Sequence, residues 1–103
     1  MTFTIIRRAL VRGQMETQAT EVVADTLRIG RGTSNDLRLD NLAVSLTHAV
    51  LEARTGRYVL RDLTGVGATY VNQSPVREAS VGPGDSIRIG PYTITLSADT
   101  TAG

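Results

Sequence analysis

Hydrophobic and polar residues alternate with a period of two along much of the chain. Leu27 and Ile29 flank Arg28, and Ile87 and Ile89 flank Arg88. Successive side chains of a β-strand point to opposite faces, so this alternation predicts strands with one buried face. The same reasoning, with β-branched and aromatic runs, predicts strands at residues 4–11, 21–24, 27–30, 37–39, 49–53, 58–62, 69–71, 86–89 and 92–97.

Turn-forming residues separate these runs. The segments Arg54-Thr55-Gly56-Arg57 and Gly90-Pro91 predict hairpin turns, and Gly82-Pro83-Gly84-Asp85 predicts a tight turn before a strand. No segment has a convincing helical period, and residues 9–20 are too polar and mixed to support one. Many short strands joined by frequent turns predict an all-β sandwich of two packed sheets.

Composition narrows the class of protein. The chain has 103 residues and a net charge of +1, which predicts one domain without a general attraction to nucleic acid or anionic lipid. One Phe, three Tyr and no Trp offer few rings for base stacking. No Cys and a single His exclude disulfides and predict no metal and no cofactor. Without a signal peptide or an apolar run of about 20 residues, we expect a soluble, cytoplasmic domain, or the cytoplasmic part of a larger protein, with no insertion into a membrane.

The candidate chemistry lies in the pair Gly30-Arg31 and in Ser45, three residues before His48. Arginine presents a planar fork of donors that matches phosphate oxygens, and a serine hydroxyl can add one more hydrogen bond. An enzyme is not indicated: the chain has no Gly-x-Ser-x-Gly nucleophile elbow and no Lys for a phosphate-binding loop. We therefore predict a module that recognises phosphorylated partners.

Six short motifs follow one another along most of the chain. They are Ile29-Gly30-Arg31, Asn35-Asp36-Leu37, Ser45-Leu46-Thr47-His48-Ala49, Tyr58-Val59-Leu60-Arg61-Asp62-Leu63, Thr69-Tyr70-Val71-Asn72 and Gly84-Asp85-Ser86-Ile87-Arg88-Ile89-Gly90. In this order and spacing they resemble the forkhead-associated (FHA) domain family, of the bacterial type. The resemblance implies a sandwich of two antiparallel or mixed sheets with about eleven strands, whose loops at one end bind phosphothreonine peptides.

The resemblance also implies a role for individual residues. Arg31 and Ser45 match the family's phosphate-binding positions. Four positions match the family's structural supports: Gly30, where the backbone turns close to the site, His48, which braces the binding loops, Asp62, which precedes the second binding loop, and Asn72, a framework position that, like Asp36, ties loops down.

The second binding loop departs from the family pattern Ser-x-Asn-Gly-Thr. Gly65 stands at the position of the serine and Gly67 at that of the asparagine, with Val66 between them. Leu46 follows Ser45 where Arg or Asn is common, and Thr47 completes the candidate peptide-contacting residues of the first loop. Each lost charge-assisted bond weakens binding by roughly 1.5–3 kcal/mol, although backbone N–H groups of a glycine-rich loop can compensate.

Two functions follow. The first is phosphothreonine recognition in a protein that is a substrate of a Ser/Thr kinase, in bacterial signalling. The second is a degenerate FHA scaffold that binds a protein partner, or a second copy of itself, independently of phosphorylation. We expect one FHA domain over residues 1–97 and a flexible tail over 98–103 that begins a linker. The oligomeric state and the identity of the partner stay open.

Overall fold

The computed structural model describes residues 2–23, 25–54 and 57–96. Over these ranges the chain forms eleven strands in two sheets and no helix, so no helix is long and apolar enough to cross a membrane. The strands are β1 Thr2–Val11, β2 Gln14–Val23, β3 Thr26–Gly30, β4 Leu37–Arg38, β5 Ala49–Arg54, β6 Arg57–Asp62, β7 Thr69–Val71, β8 Ser74–Pro75, β9 Glu78–Val81, β10 Ser86–Ile89 and β11 Tyr92–Leu96. The predicted all-β fold is confirmed.

The two sheets contain six and five strands. The six-stranded sheet has the order β2-β1-β11-β10-β7-β8, and the five-stranded sheet has the order β4-β3-β5-β6-β9. Neighbouring strands are antiparallel except β3 and β4, which are parallel. The predicted mixture of antiparallel and parallel pairing is therefore present.

The core lies between the sheets and is aliphatic. Its fully buried side chains include Leu27 and Ile29 from one sheet and Ile87, Ile89 and Ile94 from the other. The intervening arginines of β3 and β10 are exposed, as the alternation predicts. Each large aliphatic side chain removed from water contributes roughly 1.5–3 kcal/mol, which makes this core the main stabilising element.

The structure differs from the predicted strands in three places. β2 begins at Gln14, well before the predicted residue 21, and forms a hairpin with β1 through Arg12 and Gly13, whose φ angles are 51° and 80°. Most β2 side chains are exposed on both faces, so the strand carries no alternating pattern. β8 and β9 were not predicted, because β8 has only two residues and ends in Pro75, and β9 has one buried aliphatic residue, Val81.

Three predictions touch residues outside the described ranges. Arg54 pairs with Arg57 as a hairpin requires, but residues 55–56 between them are not described. The predicted strand 21–24 ends at such a residue, as does the predicted domain 1–97, and the predicted tail 98–103 lies entirely beyond the described residues.

Strand register gathers several loops at one end of the sandwich, here called the apex. Ile29 pairs with Ala49, and Ala49 pairs with Asp62, so β3, β5 and β6 reach the same end. A Cβ atom added at Gly90 would lie 3.2 Å from the Val44 side chain, which places the β10–β11 turn there too. We call residues 31–36, 39–48 and 63–68 the three apex loops.

Candidate functional site

Backbone hydrogen bonds join the first two apex loops. The N–H of Arg31 donates to the carbonyl of Ser45 at 2.9 Å, and the N–H of Gly32 donates to the carbonyl of Leu46 at 3.2 Å. A Cβ atom at Gly30 would lie 2.4 Å from the Leu46 oxygen, a distance that real contacts do not allow. Glycine is therefore required at position 30, and the close approach it permits sets Arg31 beside Ser45.

The Arg31 side chain is half-buried and anchored at one nitrogen. Its Nε–H donates to the carbonyl oxygen of Val44 at 3.1 Å. In the described part of the chain, Arg31 forms no ion pair. Anchoring at Nε fixes the plane of the guanidinium and leaves its terminal N–H groups available to an anion, the arrangement in which arginine binds phosphate through two parallel hydrogen bonds.

His48 connects the second apex loop to the third. The ring is only 1% exposed. Its Nδ1 accepts the N–H of Ser45 at 3.1 Å, and its Nε2 lies 3.0 Å from the carbonyl oxygen of Ala68. A neutral ring with its proton on Nε2 satisfies both bonds. The ring therefore holds the second and third apex loops together.

Asn35 is a further loop support to which the sequence assigned no role. Its Nδ2 donates to the carbonyl of Leu46 at 2.7 Å and to that of Gly32 at 2.8 Å. Asp36, next to it, accepts the N–H of Arg28 at 2.9 Å. In the sequence, Asn35 and Asp36 form an Asx pair that indicates a turn. The pair does not indicate that the Asn35 amide holds the segment at Leu46.

Asp62 organises the start of the third loop. Its carboxylate accepts hydrogen bonds from the hydroxyl of Thr64 at 2.8 and 3.0 Å and from that of the fully buried Thr69 at 2.7 Å. Partial burial raises the pKa of the Asp62 carboxyl, but the hydrogen bonds from Thr69 and Thr64 outweigh it, so the pKa lies below its ordinary value of 3.8. The ionised form is the one that holds the loop.

Replacement of Asp62 by Asn should therefore destabilise the fold in a pH-dependent way. At neutral pH we expect the free energy of unfolding to fall by about 1–2 kcal/mol, because the charge-assisted bonds from Thr64 and Thr69 are lost. Because the pKa of Asp62 is lower in the folded state, its ionised carboxylate stabilises the native state at pH values above the unfolded pKa of about 4. This stabilisation is lost as the pH falls through the folded-state pKa.

The measurement is urea unfolding of the wild type and Asp62→Asn from neutral pH down to acid. The difference in free energy of unfolding between the two proteins should shrink below about pH 4. Asp85 also has a lowered pKa, because its carboxylate accepts hydrogen bonds from Asn72 and the Gly82 N–H. Asp85 is present in both proteins, so its contribution to the pH dependence cancels in the difference. A difference that does not change with pH would contradict this role for Asp62.

The third loop presents backbone groups and one apolar side chain. Gly65 and Gly67 have φ angles of 75° and 69°, which favour glycine, and their N–H groups have no acceptor among the described residues. Val66 is 81% exposed, and Leu46 in the second loop is 59% exposed. Thr47, next to Leu46, is also exposed. These positions are accessible to a bound segment.

Asn72 lies away from the apex. It follows β7, whose first residue is the one nearest the apex. Its Nδ2 donates to the carboxylate of Asp85 at 3.0 Å, and its Oδ1 accepts the N–H of Ser86 at 3.0 Å. Asn72 thus ties the β7–β8 turn to the turn before β10.

The chemistry of these groups is that of binding. Both ring nitrogens of the buried His48 are used by backbone groups, so the ring is not free to act as a base for the Ser45 hydroxyl. Among the described residues, no group of three or more His, Cys, Asp or Glu side chains could hold a metal ion. Fold and site together define a β-sandwich whose apex carries an anchored guanidinium and backbone N–H groups without acceptors among the described residues.

Comparisons with known proteins give the family. The FHA domain model matches residues 27–90. The chain is 33% identical over 71 residues to glycogen accumulation regulator GarA of Mycolicibacterium smegmatis, a match that covers 69% of this chain and 45% of GarA. The chain thus belongs to the FHA domain family, whose members are phosphopeptide-binding signalling modules and not enzymes. It spans about half the length of the curated bacterial relatives it matches.

Solved FHA structures share the fold over most of this chain. One, from a structural and functional analysis of phosphothreonine-dependent FHA domain interactions, has a TM-score of 0.74 and 25% identity, covering 93% of this chain and 97% of that one. The FhaA FHA domain, complexed with the intracellular domain of Rv3910, has a TM-score of 0.69 and 30% identity, covering 88% of this chain and 98% of that one.

Proposed function

We propose that this domain binds a phosphothreonine-containing segment of a partner protein at the apex, with Arg31 and Ser45 holding the phosphate. The observation that carries this proposal is the anchored guanidinium of Arg31. Its Nε is bonded to the Val44 carbonyl, its backbone is bonded to Ser45, and among the described residues it has no carboxylate partner. A half-buried cation without a counter-ion is well placed to bind an anion.

The other apex residues contact the peptide around the phosphate in this proposal. Thr47 offers a hydroxyl, and Gly65 and Gly67 offer N–H groups that can hydrogen-bond the peptide backbone or the phosphate. Leu46 and Val66 offer exposed apolar surface to its side chains. The ligand thus depends more on backbone donors and apolar contacts than the family pattern requires.

The proposed partner is a substrate of a Ser/Thr kinase, since such a kinase produces the ligand. The relatives GarA and FhaA support a bacterial signalling setting. We accordingly propose a cytoplasmic location for the domain.

The test is a titration of the domain with degenerate peptide pools that contain either phosphothreonine or threonine at one fixed position. We expect measurable binding of the phosphorylated pool only, because the phosphate supplies the charge-assisted bonds that anchor the peptide. Calorimetry or fluorescence anisotropy gives the affinities. Equal binding of both pools, or binding of neither, would contradict phosphothreonine recognition.

The exposed aliphatic residues of the apex favour a second function, which is phosphate-independent binding of a protein partner or of a second copy. Leu46 and Val66 stand where the family pattern is polar. Exposed apolar loops of this kind suit protein interfaces. In this case Leu46→Asp, but not loss of the Arg31 guanidinium, would abolish binding of a partner captured in its unphosphorylated form.

A further inference from the structure

A groove on the outer face of the six-stranded sheet begins at the apex. It has a volume of about 730 Å³, and its lining includes Ala43 and Ala68 at the apex and Tyr70, Arg88 and Thr93 on the sheet. These last three residues lie on the neighbouring strands β7, β10 and β11. Adjacent strands are about 4.8 Å apart, so the floor is about 10 Å wide, which accommodates one extended polypeptide segment.

The apex end of the groove is made by the same segments that hold the candidate phosphate site. Ala43 precedes Val44, whose carbonyl oxygen accepts the Arg31 Nε–H at 3.1 Å. The carbonyl oxygen of Ala68 lies 3.0 Å from His48 Nε2. The groove is therefore continuous with the apex, and a segment anchored at Arg31 can extend into it.

The floor of the groove carries the guanidinium group of Arg88, and that of Arg8 lies on the next strand beyond Thr93. Arg88 pairs in register with Tyr70 on one side and Thr93 on the other, and Thr93 pairs with Arg8. Residues directly opposite one another point to the same face of a sheet, so Arg88 and Arg8 share one outward row. Both are exposed, and across the described ranges neither forms an ion pair. The row contains two guanidinium groups and no carboxylate.

We infer that this groove binds an extended, acidic stretch of the phosphorylated partner, on one side of its phosphothreonine, with a carboxylate of that stretch paired to Arg88. The inference rests on the proposed function, because the phosphothreonine brings the stretch to the groove. Two observations support it: the groove continues from the apex, and its charge is complementary to an acidic ligand. Arg88 can receive a carboxylate through two parallel hydrogen bonds, and the Tyr70 ring provides a flat surface beside it.

The expected contribution is modest, because Arg88 is exposed. An exposed ion pair changes affinity by up to about fivefold, and reversing the charge adds repulsion, so we expect about a tenfold loss for Arg88→Glu. The effect should weaken as salt is added, since solvent-exposed charges are screened.

The experiment titrates the full chain with phosphothreonine peptide pools whose flanking block, on one side or the other, is acidic, neutral or basic, and with the unphosphorylated form of the neutral pool. The wild type should bind one acidic pool more tightly than the neutral pool and the basic pool most weakly. Arg88→Glu should abolish this preference and weaken binding of the acidic pool about tenfold. Arg57→Glu reverses an exposed charge on the other sheet and should leave all affinities unchanged.

Each result separates this inference from the proposed function. Equal binding of acidic and neutral pools by the wild type would overturn the acidic preference while leaving phosphothreonine recognition intact. An equal loss in Arg88→Glu and Arg57→Glu would also overturn it, because the effect would then come from net charge. Failure of the proposed function would appear differently, as equal binding of the phosphorylated and unphosphorylated neutral pools, or as binding of neither.

Discussion

Replacement of Arg31 by Ala should reduce phosphopeptide affinity by at least about 100-fold, because the guanidinium supplies two charge-assisted hydrogen bonds of roughly 1.5–3 kcal/mol each. The side chain is held by the Val44 carbonyl and lacks a counter-ion among the described residues, so no neighbouring carboxylate offsets its attraction for phosphate. The measurement is calorimetric titration with the tightest-binding phosphothreonine pool.

Two further variants show whether the loss comes from phosphate recognition. Arg31→Lys keeps the charge but loses the planar fork and the Nε bond, so its affinity should fall between those of the wild type and Arg31→Ala. Arg57→Ala removes an exposed charge at the end of β6 that lies away from the apex, and its affinity for the phosphopeptide should equal that of the wild type. An affinity of Arg31→Ala within threefold of the wild-type value, roughly 0.7 kcal/mol, would exclude Arg31 as the phosphate anchor.

Replacement of Gly30 by Ala should cost about 3 kcal/mol of folding free energy. The new Cβ would lie 2.4 Å from the Leu46 carbonyl oxygen and 2.9 Å from the Asn35 amide nitrogen, and the oxygen belongs to backbone that cannot rotate away. Relief of this clash requires the first two apex loops to separate, which breaks the backbone bonds from Arg31 and Gly32. Phosphopeptide binding should be lost with them.

Urea unfolding measures this effect, and Gly82→Ala is the matched control. A Cβ atom at Gly82 meets nothing within 4 Å, and the residue has no left-handed φ angle, so its replacement should change stability by no more than about 0.5 kcal/mol. Equal stability of Gly30→Ala and the wild type would show that the loops can part without cost, contrary to the close packing described above.

The sequence predicts the sandwich well where strands bury one face. Leu27, Ile29, Ile87 and Ile89 alternate with exposed arginines, and this pattern alone places β3 and β10. Residues 14–20 of β2 escape prediction because the side chains of 14–19 project into solvent on both faces, so no alternation marks them. The alternation of hydrophobic and polar residues arises from burial of one face of a strand. A strand held mainly by backbone hydrogen bonds to its neighbour therefore lacks this pattern.

The candidate site is less predictable from residues alone. Arg31 and Ser45 stand out only through the family's ordered motifs, since a single arginine or serine in a turn is ordinary. The reason for glycine at position 30 depends on the Leu46 carbonyl, which lies sixteen residues away in sequence and reaches it only through the fold. The same holds for Asn35. Its residue type indicates a turn, but its amide donates to the Leu46 carbonyl, which the fold brings close.

The His48 bridge has a kinetic consequence for any ligand of the apex. A single buried ring holds the Ser45 N–H and the Ala68 carbonyl, so the second and third apex loops are ordered before a ligand arrives. Binding then avoids the entropic cost of loop ordering, and partners with pre-organised surfaces associate at similar rates. We consequently expect related phosphopeptides to differ in how long they stay bound. If Gly65 and Gly67 contact the peptide as proposed, we expect the side-chain donors that they lack to shorten the residence time and to leave the rate of encounter largely unchanged.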